Sequence, residues 1–297
     1  IAFTSQRRLV TAEDYKAQIQ ANYGAYLDDV TSYGGNDNVP AVYGRTYIGL
    51  KFKSNITDDT QQTVKDNIKT ELTDNMAVMS ITTEFVDPIT TNMMISTTFN
   101  LDPDLTSSTP QAVQTKVQNT IEEYFTTNLK KFDKVFRRSN LLTVIDAIDT
   151  AILNTKMEVK LEQSFIPTLN IALGYTVTFP VKLAAPNATL PSITSTAFTF
   201  NNQSCTIQNK LSDTKLQVVS NDGTIEVDNV GSYNESTGVI SLIGFKPTAI
   251  DGSQITFTAE PANQNTVRPL RNYVLDINTS TSTAKAVLDY QNTAVSI

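Results

Sequence analysis

The chain has 297 residues, 40% of them hydrophobic, and a formal net charge of -7 spread over intermixed acidic and basic positions. It contains no histidine, no tryptophan and a single cysteine, which excludes an imidazole base, a Ser-His or Cys-His pair, a histidine-bearing zinc site and an internal disulfide. The apolar fraction suits two modest folded domains, and the diffuse negative charge offers nothing to gather a phosphate backbone, so no nucleic-acid partner is expected.

The predicted elements begin with a helix. Thr11-Ala12-Glu13-Asp14 has the chemistry of a capping box, Tyr15 and Ile19 follow at helical spacing, and Gly24 is a plausible stop. Tyr33-Gly34-Gly35-Asn36-Asp37-Asn38-Val39-Pro40 reads as a loop. Beyond it Ile48, Leu50 and Phe52 alternate with Tyr47, Gly49, Lys51 and Lys53, the period of a strand. Asp58 and Gln61 open a second helix whose Val64, Ile68 and Leu72 form one apolar stripe. Met79 to Val86 and Asn92 to Leu101 read as two strands of a hairpin turned at Asp87-Pro88.

Thr109 and Pro110 are the N-cap and first residue of a further helix, which places Val113, Val117, Ile121 and Phe125 on one side. Another helix follows Ser139, with Leu142, Ile145, Ile148 and Ile152 as its apolar set. Met157, Val159 and Leu161 then alternate with Glu158, Lys160 and Glu162 in a half-buried strand, where Val159→Asp is expected to unfold the layer. After Pro167 the period is two, with Tyr175, Val177, Phe179, Val181 and Leu183 on one face. Asn221-Asp222-Gly223, Ser236-Thr237-Gly238 and Asp251-Gly252 supply turns. The Ser/Thr-rich Asn278 to Thr283 leads to one last strand near Ala286 to Leu288.

This order predicts an α+β chain: a helical segment and loop over residues 1–40, a split βαβ (ferredoxin-like) domain with one extra helix over 41–166, and an antiparallel all-β sandwich or barrel-like domain over 167–297. No apolar run approaches the ~20 residues of a membrane span, and Ile1-Ala2-Phe3-Thr4 lacks the plan of a signal peptide. Cytosolic assembly is the compartment expected, and the absence of an initiating methionine suggests a fragment or processed product.

Candidate chemistry is sparse. Asp102-Pro103-Asp104 lacks the spacing of a calcium loop and reads as a turn. Glu122-Glu123 and Asp146 with Asp149 are carboxylates on predicted helices, where a solvated face is the ordinary role. Gly34-Gly35 and Gly44 form no phosphate loop, and the nearest cation in sequence to Cys205, Lys210, is too distant to activate a thiol. The Asn-x-Ser/Thr matches at Asn187, Asn202, Asn234 and Asn278 carry no weight without a secretory signal. No catalytic residue, metal ligand, cofactor or small-molecule substrate is expected.

Three stretches in this order carry a resemblance: Arg8-Leu9-Val10-Thr11-Ala12-Glu13-Asp14-Tyr15; Tyr33-Gly34-Gly35-Asn36-Asp37 leading to Val42-Tyr43-Gly44-Arg45; and Phe136-Arg137-Arg138-Ser139 with Ile145-Asp146. Together with Gly223 to Leu242 they resemble the baseplate wedge proteins of T-even contractile-tailed bacteriophages, within the wider J-like baseplate family. Ser232 departs from the aspartate common before the tyrosine of that hairpin. The resemblance implies a non-enzymatic virion protein of the tail baseplate, assembled in the host cytoplasm. It would dimerise, contact other wedge proteins, link wedges into a ring around the hub and stay joined at contraction.

Interface candidates are Arg7, Arg8, Tyr15, Tyr33, Tyr43, Arg137 and Arg138, within the segments Arg7 to Tyr15 and Tyr33 to Tyr43, together with exposed strand edges of the β-rich region. Two rival readings are a receptor- or glycan-binding β-domain using the polar loops between Pro186 and Asn209, and a hydrolase working through Glu122 or Asp149.

Overall fold

A computed structural model describes residues 9–38, 40–76, 81–187 and 189–290, arranged as two compact units. The first comprises residues 1–90 with 129–134 and 269–274; the second takes 91–128, 135–268 and 275–297.

In the first unit, helix α1 (Ala12–Tyr23) precedes β1 (Leu27–Gly34), a short 3-10 turn, β2 (Arg45–Phe52), α2 (Asp58–Asn67) and β3 (Thr82–Val86). The α2 stripe runs on through a π-helical turn, Ile68–Thr73, into the short α3 (Asp74–Met76). The capping box of α1 is formed: Asp14 N–H donates to Thr11 Oγ1 at 3.3 Å, and the Asp14 carboxylate accepts from Thr11 N–H at 2.9 Å. The sheet runs β1-β2-β3, with β1 antiparallel to β2 and β2 parallel to β3. Parallel neighbours require a crossover, which α2 provides, so β2-α2-β3 is a βαβ unit. Ile19, Val30, Ile48, Leu50, Val64, Ile68 and Leu72 share its core.

The second unit opens with β4 (Ile89–Leu101), α4 (Pro110–Asn128), β5 (Phe136–Arg137), α5 (Arg138–Asp146) and β6 (Ile152–Phe165). There follow β7 (Leu173–Thr178), β8 (Ile193–Ser195), β9 (Phe198–Phe200), β10 (Gln203–Asn209), β11 (Lys215–Ser220) and β12 (Ile225–Asn234). The chain closes with β13 (Val239–Phe245), β14 (Ala249–Ile250), β15 (Ile255–Ala259), β16 (Thr266–Val267), β17 (Tyr273–Ile277) and β18 (Thr283–Leu288). Its main sheet has 13 strands, with the path β17-β4-β6-β15-β8-β10-β11-β12-β13-β7. The sheet curls on itself: Phe165 of β6 and Tyr175 of β7, far apart along that path, have ring centroids 4.9 Å apart. Phe257 and Phe245 join the same aromatic cluster. All four α4 stripe residues are fully buried, and Thr109 Oγ1 caps that helix by accepting from Ala112 N–H at 3.3 Å.

The α+β class, with an N-terminal βαβ region and a β-rich remainder, agrees with the sequence reading. Four local expectations need correction. The Asp87-Pro88 hairpin does not form: Asp87 C=O accepts from Asn272 Nδ2 and Ile89 N–H donates to Asn272 C=O at 2.9 Å, so the linker is bonded elsewhere. Instead β3 pairs in parallel with β2 and β4 antiparallel with β6, so the two expected hairpin strands belong to different sheets. Tyr33 and Gly34 end a strand rather than begin a loop, because the polar β1 sequence is held by its ladder with β2. The α5 helix stops at Asp146, and Ile152 starts β6. Between them Asp149 turns the chain, its carboxylate accepting from Ala151 N–H and Thr106 Oγ1 at 3.0 Å each.

The compact units also cut across the consecutive spans 1–40, 41–166 and 167–297. The reason is pairing: β6 is bonded to both β4 and β15, which carries the β4–β6 region into the large sheet. Of the expected Met79 to Val86 strand, residues 77–80 lie outside the described residues.

Candidate interaction surfaces

The structure separates the sequence-derived interface residues by exposure. Arg7 and Arg8 lie outside the described residues. Tyr15 is 1% exposed and belongs to the core of the first unit beside Ile19 and Tyr23, so it packs the helix and offers no surface. The physical reason is helical spacing: residues 15, 19 and 23 share the face that α1 buries. Tyr33 is half-buried and stacked on Tyr47, with centroids 5.4 Å apart, and burial pushes its phenol up to about 12.

Tyr43 is different, being 83% exposed. The segment carrying it is folded on itself: Val42 N–H donates to Gly35 C=O at 2.8 Å, and Asn38 N–H reaches the same oxygen at 3.2 Å. A Cβ at Gly35 would run into the Val42 carbonyl, so glycine is what lets the loop close. Gly44, at φ +74°, turns the chain back into β2, and its carbonyl accepts from Thr82 N–H at 3.0 Å. The result is a preorganised loop presenting one aromatic ring to solvent, flanked by the Arg45–Glu84 ion pair at 2.5 Å. Such an aromatic anchor on a held loop is what a protein interface uses.

In the second unit Arg137 is exposed on β5, which pairs with β16, whereas Arg138 is tied down. Its Nη1 donates to Met157 C=O at 3.2 Å and its N–H donates to Asn265 C=O at 2.9 Å. The structure therefore leaves Tyr43 and Arg137 as solvent-facing members of the set, one in each unit. Glu122 and Glu123 sit on α4 and Asp146 and Asp149 at or beyond the end of α5. Asp146 accepts from Thr155 Oγ1 at 2.6 Å, which gives it, like Asp149, a turn-holding role. Cys205 is buried, and that burial pushes its thiol up, away from reactivity.

The sequence reading missed an apolar shoulder leading into β7, where Ile166, Leu169, Ile171 and the first strand residue Leu173 are all exposed, with Ile243 beside them on β13. A signal was present, because Gln163 to Val181 contains no charged residue in a chain that is 18% charged. Among the described residues no helix is long and apolar enough to cross a membrane.

Two family models match the chain in succession. The model described as baseplate structural protein gp6, C-terminal domain I, matches residues 11–86, and that for gp6 C-terminal domain III matches residues 91–164. Together these spans take in about half of the sequence, one covering α1 to β3 and the other β4 to β6. The baseplate wedge protein gp6 of Enterobacteria phage T4 is 25% identical over 179 residues, which is 58% of this chain and 25% of that protein. The matched region thus spans a quarter of the length of that relative.

Proposed function

The chain belongs to the baseplate structural protein gp6 family, and from that premise we propose that it is a wedge component of a phage tail baseplate that dimerises and joins neighbouring wedges into a ring around the hub. It works in the virion after assembly in the host cytoplasm, contacts other wedge proteins and performs no turnover. What carries the reading is the succession of two gp6 domain matches on consecutive folded segments. The mechanism is mechanical. Densely packed units move as bodies, and the contacts between copies repack between discrete arrangements as the baseplate changes shape. Tyr43 and Arg137 are the contact residues best placed for this among those expected from the sequence.

Cross-linking mass spectrometry on purified intact tails tests the reading. The expected result is cross-links between two copies of the chain and from it to other baseplate proteins. Tails that lack the protein, or that hold it with cross-links to neither class, would overturn it.

A further inference from the structure

In an Asp-Gly dipeptide the main-chain nitrogen of the glycine can approach the aspartyl carboxyl closely, because glycine has no Cβ to hold it off. The dipeptide occurs twice in this chain, at Asp222-Gly223 and Asp251-Gly252, and Asn-Gly does not occur. Exposure does not separate the two. Each lies in an exposed turn, with its glycine at positive φ, +89° and +84°, and open space where a Cβ would stand.

Their hydrogen bonds do separate them. Asp222 Oδ1 accepts from Ser220 Oγ at 2.5 Å and from Thr224 N–H at 2.9 Å, while Gly223 N–H donates to Ser220 C=O at 2.9 Å. Both groups that would have to react are therefore engaged. The Ser220 hydroxyl, ahead of Thr224, also holds the Asp222 carboxyl below its ordinary range, as the anion with no hydroxyl to lose. Between β14 and β15 the situation is the reverse. Among the described residues no hydrogen bond or ion pair engages the Asp251 carboxylate or the Gly252 N–H, and Ser253 and Gln254 beyond them are exposed as well.

We propose that Asp251-Gly252 is a self-modification site, at which the folded chain converts aspartate to isoaspartate through a cyclic imide while Asp222-Gly223 is held unreactive. The Gly252 nitrogen attacks Cγ of protonated Asp251; the new C–N bond closes the imide, and the carboxyl hydroxyl leaves with the amide proton as one water. Water then adds back. Opening at Cγ restores aspartate, whereas opening at the main-chain carbonyl leaves the chain running through Cγ, with a free α-carboxylate beside it. No oxidant or other reactant is needed. The extra main-chain carbon falls between β14, paired with β9, and β15, paired with β6 and β8, so the altered link joins two ladders of the large sheet. The new carboxylate is the acceptor chemistry of a methyltransferase that uses S-adenosylmethionine, and this holds whatever the chain assembles with.

The test ages the full chain at neutral pH, folded and in urea. Isoaspartate is counted by methyl transfer from labelled S-adenosylmethionine with an isoaspartyl methyltransferase, and assigned to each site by peptide mapping with electron-transfer fragmentation. Circular dichroism melting confirms that the aged native sample is folded. In the folded chain, conversion at Asp251 should be at least about tenfold faster than at Asp222, and in urea the two should become about equal. Asp251→Glu, which would have to close a ring one atom larger, should remove most of the methyl acceptance of the folded chain. Equal conversion at the two sites in the folded chain, conversion at Asp251 only after unfolding, or undiminished methyl acceptance in the Asp251→Glu variant would each overturn the proposal.

Discussion

The pair Phe125 and Phe136 gives the sharpest test of how α4 is held. Both are fully buried, and their rings stack with centroids 5.9 Å apart and planes 27° from parallel. Phe125 is also the last residue of the apolar stripe Val113, Val117, Ile121 and Phe125. Truncating a buried Phe to Ala costs about 3–5 kcal/mol, from lost transfer energy plus the cavity left behind. A domain of this kind has only about 5–15 kcal/mol of stability, so Phe125→Ala removes a large share of it. With a urea m-value of about 2 kcal/mol/M, the midpoint of the transition should fall by roughly 2 M. Because the rings stack on each other, the double variant should depart from additivity by about 0.5–1.5 kcal/mol. The solvent-facing neighbour Thr126→Ala should stay within about 0.5 kcal/mol of the parent. Urea titrations followed by far-UV circular dichroism and tyrosine fluorescence measure the four variants and the parent. A Phe125→Ala cost below about 1 kcal/mol, or strict additivity with Phe136→Ala, would refute the packing described.

Four further outcomes follow from local geometry. Thr11→Ala should cost about 0.5–2 kcal/mol through loss of the N-cap, read from the denaturation midpoint. Asp14, held below its usual range chiefly by the Thr11 backbone amide, stabilises the fold above its unfolded value of 3.8 and loses that contribution as pH falls through the lower folded value, so Asp14→Asn should flatten the acid limb of stability against pH. Burial, with a smaller contribution from the 2.6 Å bond to Glu71, pushes the Tyr23 phenol up to about 12. Its contribution is therefore intact below pH 10 and lost as pH rises from 10 through 12, and Tyr23→Phe should remove one late-titrating phenol from an ultraviolet titration. Gly238→Ala should destabilise more than Gly223→Ala, as thermal melts can show. Both have positive φ, but a Cβ at Gly238 meets the carbonyls of Phe179 and Val181, whereas at Gly223 it meets open space.

Features written within a few residues of sequence were legible before any coordinates. The capping box at Thr11 and Asp14, the stripes on α2 and α4, the alternation of Met157, Val159 and Leu161, and the turns at Gly223, Gly238 and Gly252 each express one period or one dihedral preference. Periodicity reports the geometry of a single element and says nothing about which element it meets. That is why β3 and β4 looked like a hairpin while each found another partner. It is also why β1, with Asp28 and Asp29 in its first half, was invisible until its ladder with β2 was seen.

The candidate surfaces follow the same division. Tyr15 and Tyr43 are chemically identical, and both belong to stretches that resemble the same family, yet one is buried and the other nearly fully exposed. The uncharged run before β7 could be read from the letters, but not that it lies at the end of a sheet. Likewise β18 joins β4 in parallel across nearly the whole of the second unit's sequence. Local spacing sets the shape of each segment, whereas strand choice, burial and open edges come from competition among all segments for the same hydrogen bonds and the same apolar cover.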